Sequence, residues 1–341
     1  MYNIGMASIF DRFEFSSIQR MLNNAKEVHR YSGKPVLFIL ADMAKCILKD
    51  HVGYMEYNLF HFVGKLQKDR DTYVNFDYSQ SLFKTLNDPE YRELFNDKLK
   101  FNQIFSDLLG REFLDITNSS YEDFEKFCRG KDKFFTKPAD SCSGKGIYRN
   151  IEISKDSDLK EIYEYLKENR LFVEDSIFQH EQMNLLNPYS INTVRVTTVL
   201  DKNDIPHVMY AIQRIGTSEL PVDNVGAGGI YTVLSDEGEI IHPCWSDKTI
   251  STYTKHPLSD MKLIGFKVPY FKEALELCKK AAVVEKHIRY VGWDIAITEK
   301  GPVIVEGNPL PGYDMPQNYF VTGEDRGLKP EFERILHQDQ E

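Results

Sequence analysis

Two apolar segments near the C-terminus constrain the fold more than any other part of the chain. Residues 291–297 and 302–306 are separated by a short polar stretch that contains Lys300 and ends in glycine. Apolar runs of this length around a glycine-containing turn predict an antiparallel β-hairpin. If the hairpin turns near Lys300, Asp294 on the first strand lies directly across from Glu306 on the second. The chain is therefore expected to contain a sheet on which two carboxylates face each other.

The polar residues of this hairpin predict a metal site. Glu306 and Asn308 share one face because side chains alternate along a strand, and Asp294 joins them from the partner strand. Opposed carboxylates are destabilising unless a cation lies between them. Two carboxylates and an amide oxygen suit Mg²⁺, which prefers oxygen ligands. A solvated hairpin rim is the alternative, but the apolar neighbours Trp293 and Ile295 make a rim position for Asp294 unfavourable.

The rest of the chain reads as a mixed α+β protein. At 341 residues it is longer than one compact core usually needs, so two or three lobes are expected. Predicted strands lie at 134–137, 147–153, 171–174, 192–200 and 207–216, and predicted helices at 159–166 and 271–284. We divide the chain into a mainly helical region (1–95), a smaller α+β lobe (96–180) and a larger α+β lobe (181–341). The apolar run 36–40 fits either a strand or the start of a helix.

One helix is predicted with particular detail. Asn96 or Asp97 can cap its start, and Gly110 can end it. Its apolar residues recur at helical spacing, on one face: Phe101, Ile104, Phe105, Leu108 and Leu109. Lys98 lies at the N-terminus, where a cation opposes the helix dipole unless an anion is near. The alternative is that Lys98 is merely solvated.

A lysine followed by a Ser/Gly-rich loop forms a second candidate site. Lys137 ends a predicted apolar strand, and residues 140–146 contain serine, glycine and a further lysine. Such a turn can present backbone N–H groups to phosphates. The spacing is not that of a Walker A loop, and an ordinary Ser/Gly turn is the commoner meaning.

Two arginines and a glycine-rich segment complete the candidates. Arg195 lies inside a predicted strand and Arg214 ends another. Such arginines either pair with buried carboxylates or reach a phosphoryl group or a developing oxyanion, and both interpretations stay open. The segment 222–229 fits a flexible flap or an ordinary loop.

Charge and composition narrow the class of partner. A net charge of −10 argues against nucleic acid or an anionic membrane surface as the main partner. No apolar run approaches the roughly 20 residues that a membrane span needs, and charged residues near the N-terminus argue against an export signal. Five scattered cysteines without a C-x-x-C pair fit reduced thiols. We therefore expect a cytoplasmic protein.

The order of these motifs resembles that of ATP-grasp enzymes such as D-alanine–D-alanine ligase. More closely, the chain resembles the sugar-transfer-associated ATP-grasp family over about residues 36–320. The matching segments are Ser190-Ile191-Asn192-Thr193-Val194-Arg195, Asp223-Asn224 with Gly228-Gly229, Gly292-Trp293-Asp294, and Glu306-Gly307-Asn308-Pro309-Leu310-Pro311-Gly312. The resemblance implies an ATP-grasp fold, in which two α+β lobes clasp ATP beside a mainly helical N-terminal lobe.

The resemblance also implies roles for individual residues. Those expected to contact the phosphates or to cover them are Lys98, Lys137, Ser141, Ser143, Gly144 and Lys145. Backbone of Glu174, Asp175 and Ile177 would meet the adenine, and Glu181 would hold the ribose.

The metal and the transferred group complete the implied site. The residues expected to bind Mg²⁺ are Asp294, Glu306 and Asn308. Gly292 stands where the dipeptide ligases carry an arginine, so Arg195 or Arg214 would do that work, with Lys145 assisting turnover.

The implied function is that of a Mg²⁺-ATP-dependent carboxylate–amine ligase that forms an acyl phosphate. Its partners would be a small-molecule or glycan-linked carboxylate and an amine. Tyr313, Asp314 and Gln317 follow the metal candidates and are expected to face the acceptor; the alternative is that Asp314 and Gln317 only brace the loop. Phosphoryl transfer to a hydroxyl and a non-catalytic nucleotide-binding regulator are the alternatives.

Overall fold

The computed structural model describes residues 15–138, 149–220 and 223–337 of the chain. In these residues the helices are α1 (Phe15–Ser32), α2 (Val36–Lys49), α3 (Tyr54–Leu59), α4 (Gln67–Arg70), α5 (Phe76–Leu86), α6 (Glu93–Asn96), α7 (Lys98–Ile104), α8 (Tyr121–Cys128), α9 (Leu159–Glu168), α10 (Glu181–Leu186), α11 (Phe271–Ala282), α12 (Tyr319–Thr322) and α13 (Lys329–Leu336). The strands are β1 (Phe113–Leu114), β2 (Lys133–Pro138), β3 (Arg149–Glu152), β4 (Leu171–Asp175), β5 (Val194–Leu200), β6 (Pro206–Ile215), β7 (Ile230–Val233), β8 (Cys244–Ser246), β9 (Ser251–Tyr253), β10 (Tyr290–Thr298) and β11 (Gly301–Asn308).

The strands form two antiparallel sheets. The smaller sheet has the order β1-β4-β2-β3, and the larger has the order β11-β10-β5-β6-β7-β8-β9. The mixed α+β class is confirmed, because helices flank both sheets. The division of the chain into three parts at residues 95 and 180 stays a prediction. No helix in the described part of the chain is both long and apolar enough to cross a bilayer.

The two faces of the seven-stranded sheet are covered differently. Phe95, Phe105 and residues of α11 pack against one face, together with Trp293. Helices α1 to α3 and residues of α12 pack on the other face, against side chains that include Tyr231 and Trp245. Successive side chains of a strand alternate between faces, so Arg195 and Asp294 lie on the face that the N-terminal helices partly cover.

The apolar run at 36–40 belongs to a helix. It opens α2, whose fully buried residues Ile39, Met43 and Cys46 are spaced four and three apart. That spacing places them on one helical face. A short apolar run cannot by itself separate the two possibilities, and packing against α1 and α3 decides for the helix here.

The helix predicted from Asn96 to Gly110 is shorter than expected. The Asp97 side chain caps α7 by accepting hydrogen bonds from the N–H groups of residues 99 and 100, both at 3.0 Å. The α-helix ends at Ile104, and a 3₁₀ turn follows over Ser106–Leu108. The cap is therefore confirmed, while the single long helix is wrong. The tighter turn still buries Leu109 completely, so the apolar pattern is satisfied by two elements in place of one.

Gly110 allows a close approach between the turn after α7 and β11. Its φ is +70°, a left-handed conformation that glycine adopts without steric cost. A Cβ at this position would lie 2.7 Å from Cγ1 of Val303 on β11. The contact brings the segment before β1 against the outermost strand of the larger sheet.

Gly110→Ala is expected to lower the free energy of unfolding more than Gly130→Ala. Gly130 has a similar φ of +78°, but a Cβ there would meet no atom of the described residues within 4 Å. Both variants therefore share the cost of placing alanine in a left-handed conformation, roughly 1 kcal/mol. The Gly110 variant alone adds an overpacking cost of about 1–3 kcal/mol. Urea unfolding of both variants measures the difference, and equal losses would contradict the close approach to Val303.

Candidate active site

A β-bulge sets the register of the C-terminal hairpin. Ile295 of β10 pairs with Ile304 of β11, and a regular continuation would place Val305 opposite Asp294. The register instead shifts by one residue at this point, so Asp294 pairs with Glu306. The extra residue on β11 is the mark of a bulge. The predicted facing of the two carboxylates is confirmed, and the bulge is its cause.

Two arginines bind the carboxylate of Asp294. Nε and Nη2 of Arg195 donate to its two oxygens at 2.7 and 2.6 Å, and Nη1 of Arg214 donates at 2.8 Å. Asp294 is only 3% exposed. Burial raises the pKa of this carboxyl, but the two guanidinium groups lower it by more than burial raises it. The pKa of Asp294 therefore lies below its usual value. Asp294 is therefore held ionised.

Arg214 is fixed from its other side by a second buried carboxylate. Its Nη2 donates to Asp223 at 2.9 Å, and the other oxygen of Asp223 accepts from the N–H and hydroxyl of Thr193 at 2.9 and 2.5 Å. Of the two interpretations open for Arg195 and Arg214, the structure shows pairing with buried carboxylates. Thr193 and Asp223 belong to segments that the sequence marks out, but their holding of Arg214 was not predicted.

Glu306 and Asn308 lie beside Asp294 and are more accessible. The side chain of Glu306 is 40% exposed, and its Oε2 lies 3.2 Å from Nζ of Lys98. Asn308 donates weakly to Glu306 at 3.5 Å and to the Gly292 carbonyl at 3.4 Å. We call Asp294, Glu306 and Asn308 the acidic corner. Protein cations contact both carboxylates, Arg195 and Arg214 at Asp294 and Lys98 at Glu306, so the protein itself offsets the repulsion between them.

The acidic corner fits a Mg²⁺ ion. Among the described residues, Oδ1 of Asp294 accepts one hydrogen bond, Oε1 of Glu306 has only a long contact, and Asn308 has an amide oxygen. A carboxylate oxygen can accept two bonds, so oxygen lone pairs of the kind that Mg²⁺ uses are present. Within the same residues, no group of three His, Cys, Asp or Glu side chains forms a metal cluster. The two carboxylates and amide are thus the candidate set, and metal binding by them stays a prediction.

A second charged group lies on the smaller sheet. Glu174 of β4 is 3% exposed; its carboxylate accepts from Lys137 of β2 at 2.5 Å, from Arg111 at 3.2 Å and from Asn102 of α7 at 3.2 Å. We call these four residues the basic cluster. Asn102 lies one helical turn after Lys98, so one face of α7 contacts both charged groups.

The basic cluster carries more positive than negative charge. Its described members are two cations and one carboxylate, all buried. Burial raises the pKa of Glu174, but Lys137 and Arg111 lower it to about 2. Burial also lowers the pKa of Lys137, against the opposing effect of Glu174. A buried excess of positive charge favours a bound anion.

Glu174→Gln is expected to destabilise the protein at neutral pH and to lose that effect in acid. A carboxyl whose pKa is depressed from 4.5 to about 2 contributes stability that is present above pH 4.5 and lost as the pH falls toward 2. The contribution is on the order of 3 kcal/mol. Urea unfolding of both proteins from pH 7 to 3 should show a narrowing gap. A gap that does not change with pH would contradict the pairing of Glu174 with Lys137 and Arg111.

Two of the residues expected at the nucleoside line a cleft of about 1050 Å³. Asp175 and Ile177 line it, together with Arg111 and the turn of the β10–β11 hairpin. Glu181 has an exposed side chain at the start of α10, and its N–H donates to Glu299 of that turn at 2.7 Å. The cleft is not lined by Lys98, Lys137 or the acidic corner. Glu174 turns its side chain into the basic cluster, and its backbone is paired between β1 and β2, so the expected contact of Glu174 with the adenine is not supported by its position.

Some predicted site residues lie outside the described residues. These are Ser141, Ser143, Gly144 and Lys145. Of the residues expected at the acceptor, Gln317 is buried and bonded to the backbone of Val74, Tyr313 and Leu328. Gln317 therefore braces the loop, and the expectation that it faces an acceptor is wrong. The Tyr313 hydroxyl donates to Glu56 of α3.

Comparison with known proteins gives one family and a set of solved structures. A family described as sugar-transfer associated ATP-grasp matches residues 77–335. The ATP-grasp ligase PsnB with minimal precursor, Mg and ADP is 15% identical, with 75% of this chain and 62% of that chain covered and a TM-score of 0.41. A D-alanine–D-alanine ligase from Coxiella burnetii is 11% identical (72% and 57% covered, TM-score 0.39). An N5-carboxyaminoimidazole synthetase from Staphylococcus aureus with ADP is 13% identical (69% and 53% covered, TM-score 0.39).

The match covers only part of each of these structures. The chain spans 53–62% of their lengths. The comparison with curated proteins gives no match.

Proposed function

Because the chain belongs to the sugar-transfer associated ATP-grasp family, we propose that it is a Mg²⁺-ATP-dependent ligase that joins a carboxylate to an amine. The observation that carries this proposal is the adjacency of the basic cluster and the acidic corner. On α7, Lys98 contacts Glu306 of the acidic corner and Asn102 contacts Glu174 of the basic cluster. Arg111 of the basic cluster also donates to the backbone of β11. Excess positive charge beside clustered oxygen ligands suits a nucleotide phosphate with its metal.

The proposal assigns roles at the nucleotide and the metal to predicted residues. Lys98 and Lys137 would contact the phosphates, and Ser141, Ser143, Gly144 and Lys145 would cover them. Backbone of Asp175 and Ile177, with Glu181, would hold the nucleoside. The acidic corner would hold Mg²⁺, which when bound neutralises charge on the phosphate oxygens.

The proposed chemistry has two steps. A carboxylate oxygen of the acceptor attacks the γ-phosphorus while the bond from that phosphorus to the β-phosphate oxygen breaks, which releases ADP and leaves an acyl phosphate. The amine nitrogen then attacks the acyl carbon, phosphate departs with the bonding electrons, and the nitrogen loses a proton as the amide forms. The chain's own contribution would be positioning and charge stabilisation.

Arg195 is our candidate for the role that an arginine plays in the dipeptide ligases. A Cβ on Gly292 would lie 3.6 Å from Cδ of Arg195 and 3.1 Å from Cβ of Pro311. Arg195 therefore occupies space beside the backbone of Gly292. We propose that its guanidinium, shared with Asp294, stabilises charge that develops on the acyl group.

The acceptor is proposed to be a glycan-linked or other small carboxylate, which the family's description as sugar-transfer associated supports. ADP release from Mg²⁺-ATP, measured across uronic acids with and without amines, tests the proposal. Release that requires both a carboxylate and an amine is expected. Release with a hydroxyl compound alone would favour a phosphotransferase, and nucleotide binding without any release would favour a regulator.

A further inference from the structure

Arg111 connects the two sheets although it belongs to no sequence motif. Its side chain is 3% exposed, and it lies between Gly110 and the start of β1. Nη2 donates to Glu174 of the smaller sheet at 3.2 Å and to the Val305 carbonyl of β11 at 3.3 Å. Nη1 donates to the Ile304 carbonyl. One guanidinium therefore joins Glu174 of the smaller sheet to the backbone of β11 in the larger sheet.

The charge of Arg111 determines how much net positive charge the basic cluster can offer to a nucleotide phosphate. Lys137 and Arg111 share the single carboxylate of Glu174. Without Arg111, the described part of the basic cluster would reduce to one lysine and one glutamate, which balance. Charges interact strongly in a buried setting, so this balance governs attraction for a phosphate. Arg111 thus supplies the excess positive charge.

The backbone contacts of Arg111 act on the strand that carries Glu306. β11 is the outermost strand of its sheet, so carbonyls on its free edge need donors from outside the ladder. The two carbonyls that Arg111 binds belong to Ile304 and Val305, at the bulge directly before Glu306. The guanidinium therefore holds the bulged segment against the smaller sheet.

We propose that Arg111 is a positioning residue for nucleotide binding. Arg111 neutralises part of the negative charge of Glu174, so that the positive charge of Lys137 stays available to a phosphate. It also fixes the bulge that orients Glu306. This inference rests on the proposed function, because it takes the nucleotide site to lie between the two charged groups. Arg111 itself need not touch the nucleotide.

The test measures the affinity of Mg²⁺-ADP by calorimetry for the full chain and three variants. Arg111→Met removes the charge and all the hydrogen bonds. Arg111→Lys keeps the charge beside Glu174. The matched control is Arg70→Met, since Arg70 is also buried and donates to a carboxylate, Asp42, at 2.7 Å and to a carbonyl, Phe62, at 2.9 Å. Thermal unfolding of each variant sets a temperature at which all are folded.

The expected result is a pattern across the variants. Arg111→Met should bind Mg²⁺-ADP at least about tenfold more weakly, while Arg111→Lys stays within about threefold and Arg70→Met within about twofold of the parent. An unchanged affinity in Arg111→Met would overturn the inference. So would a loss of the same size in Arg70→Met, and equal losses in the Met and Lys variants of Arg111 would overturn the role assigned to its charge. If the parent chain does not bind Mg²⁺-ADP, the proposed function itself fails.

Discussion

Glu306→Gln is expected to reduce ATP-dependent turnover by at least about 100-fold while the stability of the protein hardly changes. The carboxylate is proposed as a metal ligand, and glutamine removes its charge while it keeps the shape. The side chain is 40% exposed and forms an ion pair with Lys98 at 3.2 Å. Exposed ion pairs of this kind contribute less than about 1 kcal/mol to folding.

The measurement compares turnover over a range of Mg²⁺ concentrations in the parent and the variant. Glu93→Gln is a suitable control, because Glu93 forms a similar exposed pair with Lys100 at 2.9 Å and is not part of the acidic corner. It should keep normal turnover. Near-normal turnover in Glu306→Gln would show that the metal assignment is wrong.

Asp294→Asn is expected to lower the free energy of unfolding by about 3–5 kcal/mol. From the hairpin alone, removal of one of two opposed carboxylates should relieve repulsion. The structure reverses that expectation, because the Asp294 carboxylate is the shared partner of Arg195 and Arg214, and Asp294 and Arg214 are buried while Arg195 is only partly exposed. An amide would leave Arg195 without the carboxylate that it binds through two hydrogen bonds, and would leave Arg214 with Asp223 alone. Turnover should also be lost.

The control for Asp294→Asn is a carboxylate with two cations at the surface. Asp204 contacts Arg289 at 2.7 Å and Lys286 at 3.2 Å and is 35% exposed. Asp204→Asn should unfold at nearly the parental urea concentration, whereas Asp294→Asn should unfold much earlier at pH 7. Because the pKa of Asp294 is lowered in the folded protein, its ionised carboxylate stabilises the fold above the unfolded-state pKa. That stabilisation is lost as the pH falls through the folded-state pKa, so the difference between the two proteins should shrink in acid. Parental stability in Asp294→Asn would contradict the arginine pairing.

Local patterns were sufficient for the elements that depend on neighbours in the chain. The helix α11 begins at Phe271 as predicted, and the hairpin strands lie within two residues of their predicted bounds. Asp97 could be identified as a cap because capping joins residues two and three apart. Asn102 could also have been found, since it lies four residues after Lys98 on one helical face.

The sequence by itself determined that a C-terminal hairpin carries Asp294 on one strand and Glu306 on the other, because strand formation and turning depend on nearby residues, whereas their direct pairing depends on the bulge. Only the tertiary structure decided which cations neutralise them. Asp294 lies 99 residues from Arg195 and 80 from Arg214, and those pairs follow from sheet order. The bulge at Val305 was likewise undetermined, because one extra residue in a strand leaves no periodic signal. Arg111 gave no signal either, since its partners are 63 and 193 residues away and meet it only when the two sheets pack.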